Sequence, residues 1–170
     1  MRLFIASPVK LYDYDAIKKD FDGIIEGKWV DEKNLHLTWV FLGERPFAQG
    51  TIEQMQPLTN LENEVEIAGL GYFGRPPRIF YAGSKQKALY EKARELKKAG
   101  FDLYRFKPHM TLCRIEKIVD YRAYKEKVKA YKEKKLGIIL PHIILYESKR
   151  TSHGLEYQAL HETTTHSEIT

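Results

Sequence analysis

Short apolar runs alternate along this chain with longer stretches whose apolar residues recur at helical spacing, a pattern that predicts strands interleaved with helices. Residues 3–7 read as a first strand, stopped by Pro8. Residues 14–26 follow as a helix, with Ile17, Phe21, Ile24 and Ile25 on one side and Asp13 placed to cap the first turn. Residues 35–42 are almost continuously apolar and read as a strand ended by Gly43. A helix is predicted over 48–58, weakened by Gly50. Residues 65–73 are extended and broken by glycine, and Arg75-Pro76-Pro77 forms a turn.

The later sequence replays this order. Residues 79–83 read as a strand, 85–99 as a lysine-rich helix closed by Gly100 beyond its last turn, 109–115 as a strand, 120–134 as a helix, and 138–148 and 154–161 as strands. Leu3-Phe4-Ile5-Ala6 aligns with Arg78-Ile79-Phe80-Tyr81 at an offset of 75, and His36 aligns with His109 at an offset of 73. Such near-equal offsets predict an internal duplication. With no Ser- or Gly-rich linker between the halves, one two-lobed unit is expected over 1–163, followed by a polar tail over 164–170.

Composition narrows the class. The 43% hydrophobic and 12% aromatic content suits a folded globular chain of 170 residues. A net charge of +5 permits an anionic partner such as RNA without requiring one. The single cysteine, Cys113, excludes an intrachain disulfide and fits a reducing compartment. The apolar stretch 3–6 is too short for a signal-peptide core, and no run approaches the roughly 20 residues that span a bilayer. A cytoplasmic protein without membrane partners is expected, as a monomer.

The candidate chemistry lies in two matching strings, His36-Leu37-Thr38 and His109-Met110-Thr111, each opening a predicted strand at a corresponding place in its half. Side chains alternate along a strand, so each histidine shares a face with its threonine. Strict alternation adds Val40 to the first such face and Cys113 to the second, and turns Leu37, Trp39 and Phe41, like Met110, Leu112 and Arg114, the other way. A polar face buried against a core is costly unless every group is paired; a cleft floor removes that cost. Two imidazoles and two hydroxyls around one volume suit a phosphate, since one imidazole can accept a proton while the other gives one. His161-Glu162-Thr163 is a third instance, but no apolar strand follows it and it is set aside. Neither His36 nor His109 has neighbouring ligands at metal-binding spacing, and glycine-rich phosphate or dinucleotide loops are absent, so no metal or cofactor is expected.

With these residues in view, the chain resembles the 2H phosphoesterase superfamily. The strings His36-Leu-Thr-Trp-Val-Phe-Leu-Gly43 and His109-Met-Thr-Leu-Cys-Arg114 look like its paired motifs, and the opening Met1-Arg-Leu-Phe-Ile-Ala6 and Pro77-Arg-Ile-Phe-Tyr-Ala-Gly83 are similar to those of the RNA 2′,3′-cyclic phosphodiesterases, or 2′-5′ RNA ligases. Trp39 stands where the family usually has an aliphatic residue and Cys113 where it usually has alanine; on the site face, Cys113 would confer sensitivity to thiol reagents. The resemblance implies an α+β fold whose two lobes, mostly antiparallel sheets with helices outside, face a central cleft. It implies hydrolysis of 2′,3′-cyclic phosphate ends of RNA or nucleotides to 2′-phosphates, with His36 as general acid and His109 as general base. Thr38 and Thr111 would bind the phosphate oxygens, Arg114 would contact substrate if the strand twists or bulges and otherwise be an ordinary surface charge, and reverse 2′-5′ joining would be possible. The rival readings are a phosphodiesterase acting on another small cyclic or 2′-5′ linked nucleotide, and a nucleotide- or RNA-binding module without catalysis.

Elsewhere, the lysines of 85–98 and 117–135 fall where solvated helix faces are expected. Tyr72-Phe73-Gly74-Arg75 joins rings and a cation in one loop, which suits either a turn packed on the core or a stacking site for a base.

Overall fold

The computed structural model describes residues 1–165. Its architecture is α+β, with two open antiparallel sheets. β1 (Arg2–Leu11) is the spine of the first. Along one edge it pairs with β3 (His36–Glu44). Along the other it meets β9 (Ile144–Thr151) and then β8 (Lys135–Ile139), with β10 (Gly154–Glu162) beyond β9 and β4 (Val65–Ala68) beyond β8. The second sheet runs β2 (Ile25–Trp29), β7 (His109–Ile118), β6 (Ile79–Gly83), β5 (Leu70–Phe73).

The two halves of the chain interlock. β2, from the first half, completes the second sheet, whereas β8, β9 and β10, from the second half, complete the first. α1 (Tyr14–Asp20) follows the spine of the first sheet but packs on the second: Phe21 at its end lies 4.6 Å from Phe80 of β6, beside Tyr124 of α4 (Tyr121–Ala130). α3 (Lys87–Lys98) follows β6 yet docks against α2 (Gln49–Gln54), whose Gln54 donates to the carbonyl of Ala99 at the end of α3. One continuous apolar core therefore serves both sheets. None of the described helices is long and apolar enough to cross a membrane.

The local signals act as expected at the caps. Asp13 accepts from the Ala16 amide at 3.0 Å, Asp120 does the same for Ala123, and Gly100 takes φ +97° beyond α3. Other expectations need correction. The helix predicted over 14–26 stops at Asp20, because Gly23 turns the chain with φ +75° and Ile25 enters β2 as a strand residue. The strand predicted over 138–148 divides into β8 and β9 around Pro141, and α2 is shorter than the helix predicted over 48–58. Lys92 is not on a solvated face: it is 5% exposed, and its ammonium donates to the Thr59 carbonyl and pairs with Glu95, joining α3 to the loop after α2.

The duplication is visible in the registers. Pro8, Ser7 and Ala6 pair with His36, Leu37 and Thr38; Gly83, Ala82 and Tyr81 pair with His109, Met110 and Thr111. Both ladders then slip at the same place. Ile5 faces Val40 and Phe80 faces Cys113, leaving Trp39 and Leu112 as extra residues in equivalent β-bulges. Phe4–Phe41 and Ile79–Arg114 follow, so five pairs repeat at the offsets of 75 and 73 read from the sequence. At the C-terminus Thr163 donates to Asn60, and the Thr164 carbonyl accepts from the Asn60 amide, so the chain remains tied to the fold one residue past the expected boundary. Residues 166–170 of the expected tail lie outside the described residues.

The bulge in β7 is held from below. The Leu112 carbonyl accepts from the Val30 amide at 2.8 Å and from the Tyr14 hydroxyl at 3.2 Å, and that hydroxyl also lies 2.7 Å from the Val30 carbonyl. Tyr14→Phe removes this donor while conserving the ring. It should lower unfolding stability in urea by about 1 kcal/mol; an unchanged midpoint would show that the hydroxyl does not support the bulge.

Candidate active site

β3 and β7 bring the two sheets together, their Cα atoms approaching within 8 Å. Each opens with its histidine. The Nδ1 of His36 lies 2.7 Å from the Asn34 carbonyl, and the Nδ1 of His109 lies 2.7 Å from the Lys107 carbonyl. A carbonyl only accepts, so it fixes the proton on Nδ1 and leaves Nε2 as the nitrogen that gains or loses a proton. Both carbonyls sit two residues upstream, again at an offset of 73. Asn34 ends a 3-10 turn (Glu32–Asn34), and its own side chain is anchored to the Leu155 carbonyl of β10.

Aromatic rings hold both imidazoles. His36 has Phe4 at 5.3 Å and Tyr157 of β10 at 5.2 Å, the latter edge-on at 89°. His109 has Phe73 at 4.8 Å and Tyr81 at 5.5 Å. Tyr81 in turn lies across Gly71, where a Cβ would come within 2.6 Å of the phenol oxygen. Burial lowers the pKa of His36 below its ordinary 6.5; the Asn34 carbonyl opposes this, and the positive charge of nearby His109 lowers it further.

The bulges decide what else faces the site. Thr38 and Thr111, before the slip, stay on the histidine faces and are half-buried. Val40 and Cys113, expected beside them, are turned into the core, with Cys113 fully buried. One extra residue inverts the alternation beyond it. Arg114 thereby moves onto the histidine face, and Phe41, expected in the core, is 76% exposed at the equivalent position of β3. The charge of Arg114 pulls the Tyr157 phenol down against the larger upward effect of burial. Trp39 is buried as expected, its indole donating to Ser7 and stacked on Phe106. The third His-x-Thr string serves another purpose, with Thr163 bonded to Asn60 and Glu162 to His142.

Several site residues escaped the sequence reading. The anchoring carbonyls have no side-chain signal, and the rings of Phe4, Tyr81 and Tyr157 come from neighbouring strands. Phe41 was within reach, since the offset that pairs His36 with His109 also pairs it with Arg114. Among the described residues no group of three His, Cys, Asp or Glu side chains is arranged as a metal site. Two imidazoles with Nε2 available, two hydroxyls and a guanidinium can hold an anion and move protons on either side of it.

A family model described as LigT-like phosphoesterase matches residues 13–81. The chain is 32% identical over 164 residues to an RNA 2′,3′-cyclic phosphodiesterase of Aquifex aeolicus, covering 87% of each. It is 29% identical to the enzyme of the same name from Thermotoga maritima, covering 95% of this chain and 94% of that one. In fold it resembles E. coli LigT, with a TM-score of 0.67 at 21% identity over 96% of this chain and 97% of that chain.

Burial removes Cys113 from the site and pushes its thiol up to about 11. Reaction with Ellman's reagent should therefore be negligible in the native protein and complete in urea. Rapid titration of the native thiol would contradict this burial.

Proposed function

Because this chain belongs to the LigT-like phosphoesterases of the 2H superfamily, we propose that it opens terminal 2′,3′-cyclic phosphates of RNA or nucleotides with water, leaving a 2′-phosphate. The observation that carries this reading is the matched pair of imidazoles, each bonded to a carbonyl through Nδ1 and each from a different sheet, with His36 sensing His109.

In this mechanism the cyclic phosphate lies between the two Nε2 atoms. His109 takes a proton from the attacking water as the P–O bond forms. His36 gives its proton to the ribose 3′ oxygen as the bond from phosphorus to that oxygen breaks. Thr38 and Thr111 donate to the non-bridging oxygens, where negative charge grows, and Arg114 adds a positive charge at the same face. Exposed Phe41 offers a ring beside them for the terminal base. A 5′-hydroxyl in place of water would run the same two transfers and leave a 2′–5′ phosphodiester, which is the reverse joining of strands.

The lowered pKa of His36 has a definite sign. Near neutrality the free enzyme holds this ring mostly neutral, whereas an acid must carry its proton. A bound phosphate anion favours the imidazolium and raises the pKa again. Substrate binding thus takes up a proton at His36 and charges the acid only when there is a leaving group to receive it. The single buried cysteine supports work in a reducing compartment, and the enzyme is read as cytoplasmic.

His36→Ala and His109→Ala should each reduce kcat on 2′,3′-cyclic AMP by about 10²- to 10⁴-fold while native circular dichroism is retained. EDTA should leave the wild-type rate unchanged. Near-normal rates in both variants, or loss of activity in EDTA, would overturn the two-histidine mechanism.

A further inference from the structure

A cyclic phosphate terminates a strand, and the site just described accounts only for that terminus. A second groove begins where the site ends. It runs between the turn joining β5 to β6 and the start of α4, lined by Tyr72, Phe73, Arg75, Tyr121 and Lys125, with Gly74 and Pro76 in its wall. Phe73 is common to both places, packing edge-on against His109 at 4.8 Å while facing the groove. Lys107 bridges the boundary, its ammonium 5.2 Å from the Phe73 ring and 5.7 Å from the Tyr81 ring. Lys125 stands 4.9 Å from the ring of Tyr121. The lining thus supplies cations and exposed ring surface, and it includes no carboxylate.

Charge separates this groove from a depression between α3 and the segment leading into β4, where Glu62, Glu64, Glu66, Glu91 and Glu95 outnumber Lys92, Arg94 and Lys98. A polyanion leaving the site is favoured more by the groove, whose charged lining residues are all cations, than by that mixed and net acidic surface. Cations spaced along a path with rings between them form the arrangement that holds single-stranded nucleic acid irrespective of sequence.

We propose that this groove binds the nucleotides on the 5′ side of the cyclic phosphate end, so that the substrate is a single RNA strand rather than a mononucleotide. Phosphates contact Arg75 and Lys125, and a base stacks on Tyr121 or Tyr72. The inference rests on the phosphodiesterase reading above but concerns residues that a mononucleotide does not reach.

The test compares 2′,3′-cyclic AMP with a short single-stranded oligoribonucleotide ending in a 2′,3′-cyclic phosphate. The double variant Arg75→Ala/Lys125→Ala should lose about tenfold in kcat/KM on the oligonucleotide, and the salt dependence of that value should flatten by about 1.4 in log–log slope, at roughly 0.7 for each phosphate contact. Tyr121→Ala should lose a similar factor with the slope unchanged. Both variants should act on cyclic AMP at the wild-type rate. Equal losses on the two substrates, or none on the oligonucleotide, would overturn the proposal. If the wild type turned over neither substrate, the phosphodiesterase reading would fall, and fluorescence anisotropy of the labelled oligonucleotide would decide the groove separately. Weaker binding by the variants would support it, and unchanged binding would refute it.

Discussion

An imidazole bonded through Nδ1 to a carbonyl has one nitrogen left for chemistry and little freedom to turn. That constraint acts twice in this protein, at Asn34–His36 and Lys107–His109, both at 2.7 Å. Flanking rings complete each setting, and the two strands that carry the histidines are where the sheets meet. A ring free to rotate would present either nitrogen, and a proton transfer would then depend on a chance orientation. Here the backbone sets the tautomer and the direction together, through a group that no side-chain substitution removes.

The second constraint is a bulge repeated in both halves. Trp39 and Leu112 are extra residues against their partner strands, and each reverses the faces beyond it. Two consecutive residues are then buried where alternation would bury one, which keeps Val40 and Cys113 in the core. In exchange, Phe41 and Arg114 emerge beside the histidines. The duplicated framework thus yields two unlike groups at equivalent positions, a ring in one lobe and a cation in the other. The pKa of His36 is lowered chiefly by burial.

Much of this was legible in the residues because the signals are local. The His/Thr strands, the caps at Asp13 and Asp120, the turn at Gly100 and the paired offsets all depend on neighbours in sequence. The misreadings have one physical origin, in contacts made at a distance. A bulge is a mismatch between two strands and leaves no mark on either alone, so strict alternation misplaces Cys113 and leaves the face of Arg114 open. Ile25 and Glu26, the first residues of β2, fall within the predicted helix because Ile24 and Ile25 fit both periods, and pairing with β7 decides between them. Lys92 was read as solvated because its partners, Thr59 and the loop after α2, belong to the other half of the chain. The exchange of elements between lobes was likewise invisible, and that exchange gives the molecule one core.

The central claim is that His36 and His109 present Nε2 to a single phosphate. Imidazole ¹H–¹⁵N correlation spectra recorded against pH, with and without inorganic phosphate, test it most directly. The account predicts that Nδ1 of both rings stays protonated throughout and that His36 titrates at Nε2 below 6.5. Phosphate should then shift the Nε2 signals of both rings and raise the His36 value. A response confined to one ring, or titration at Nδ1, would contradict it.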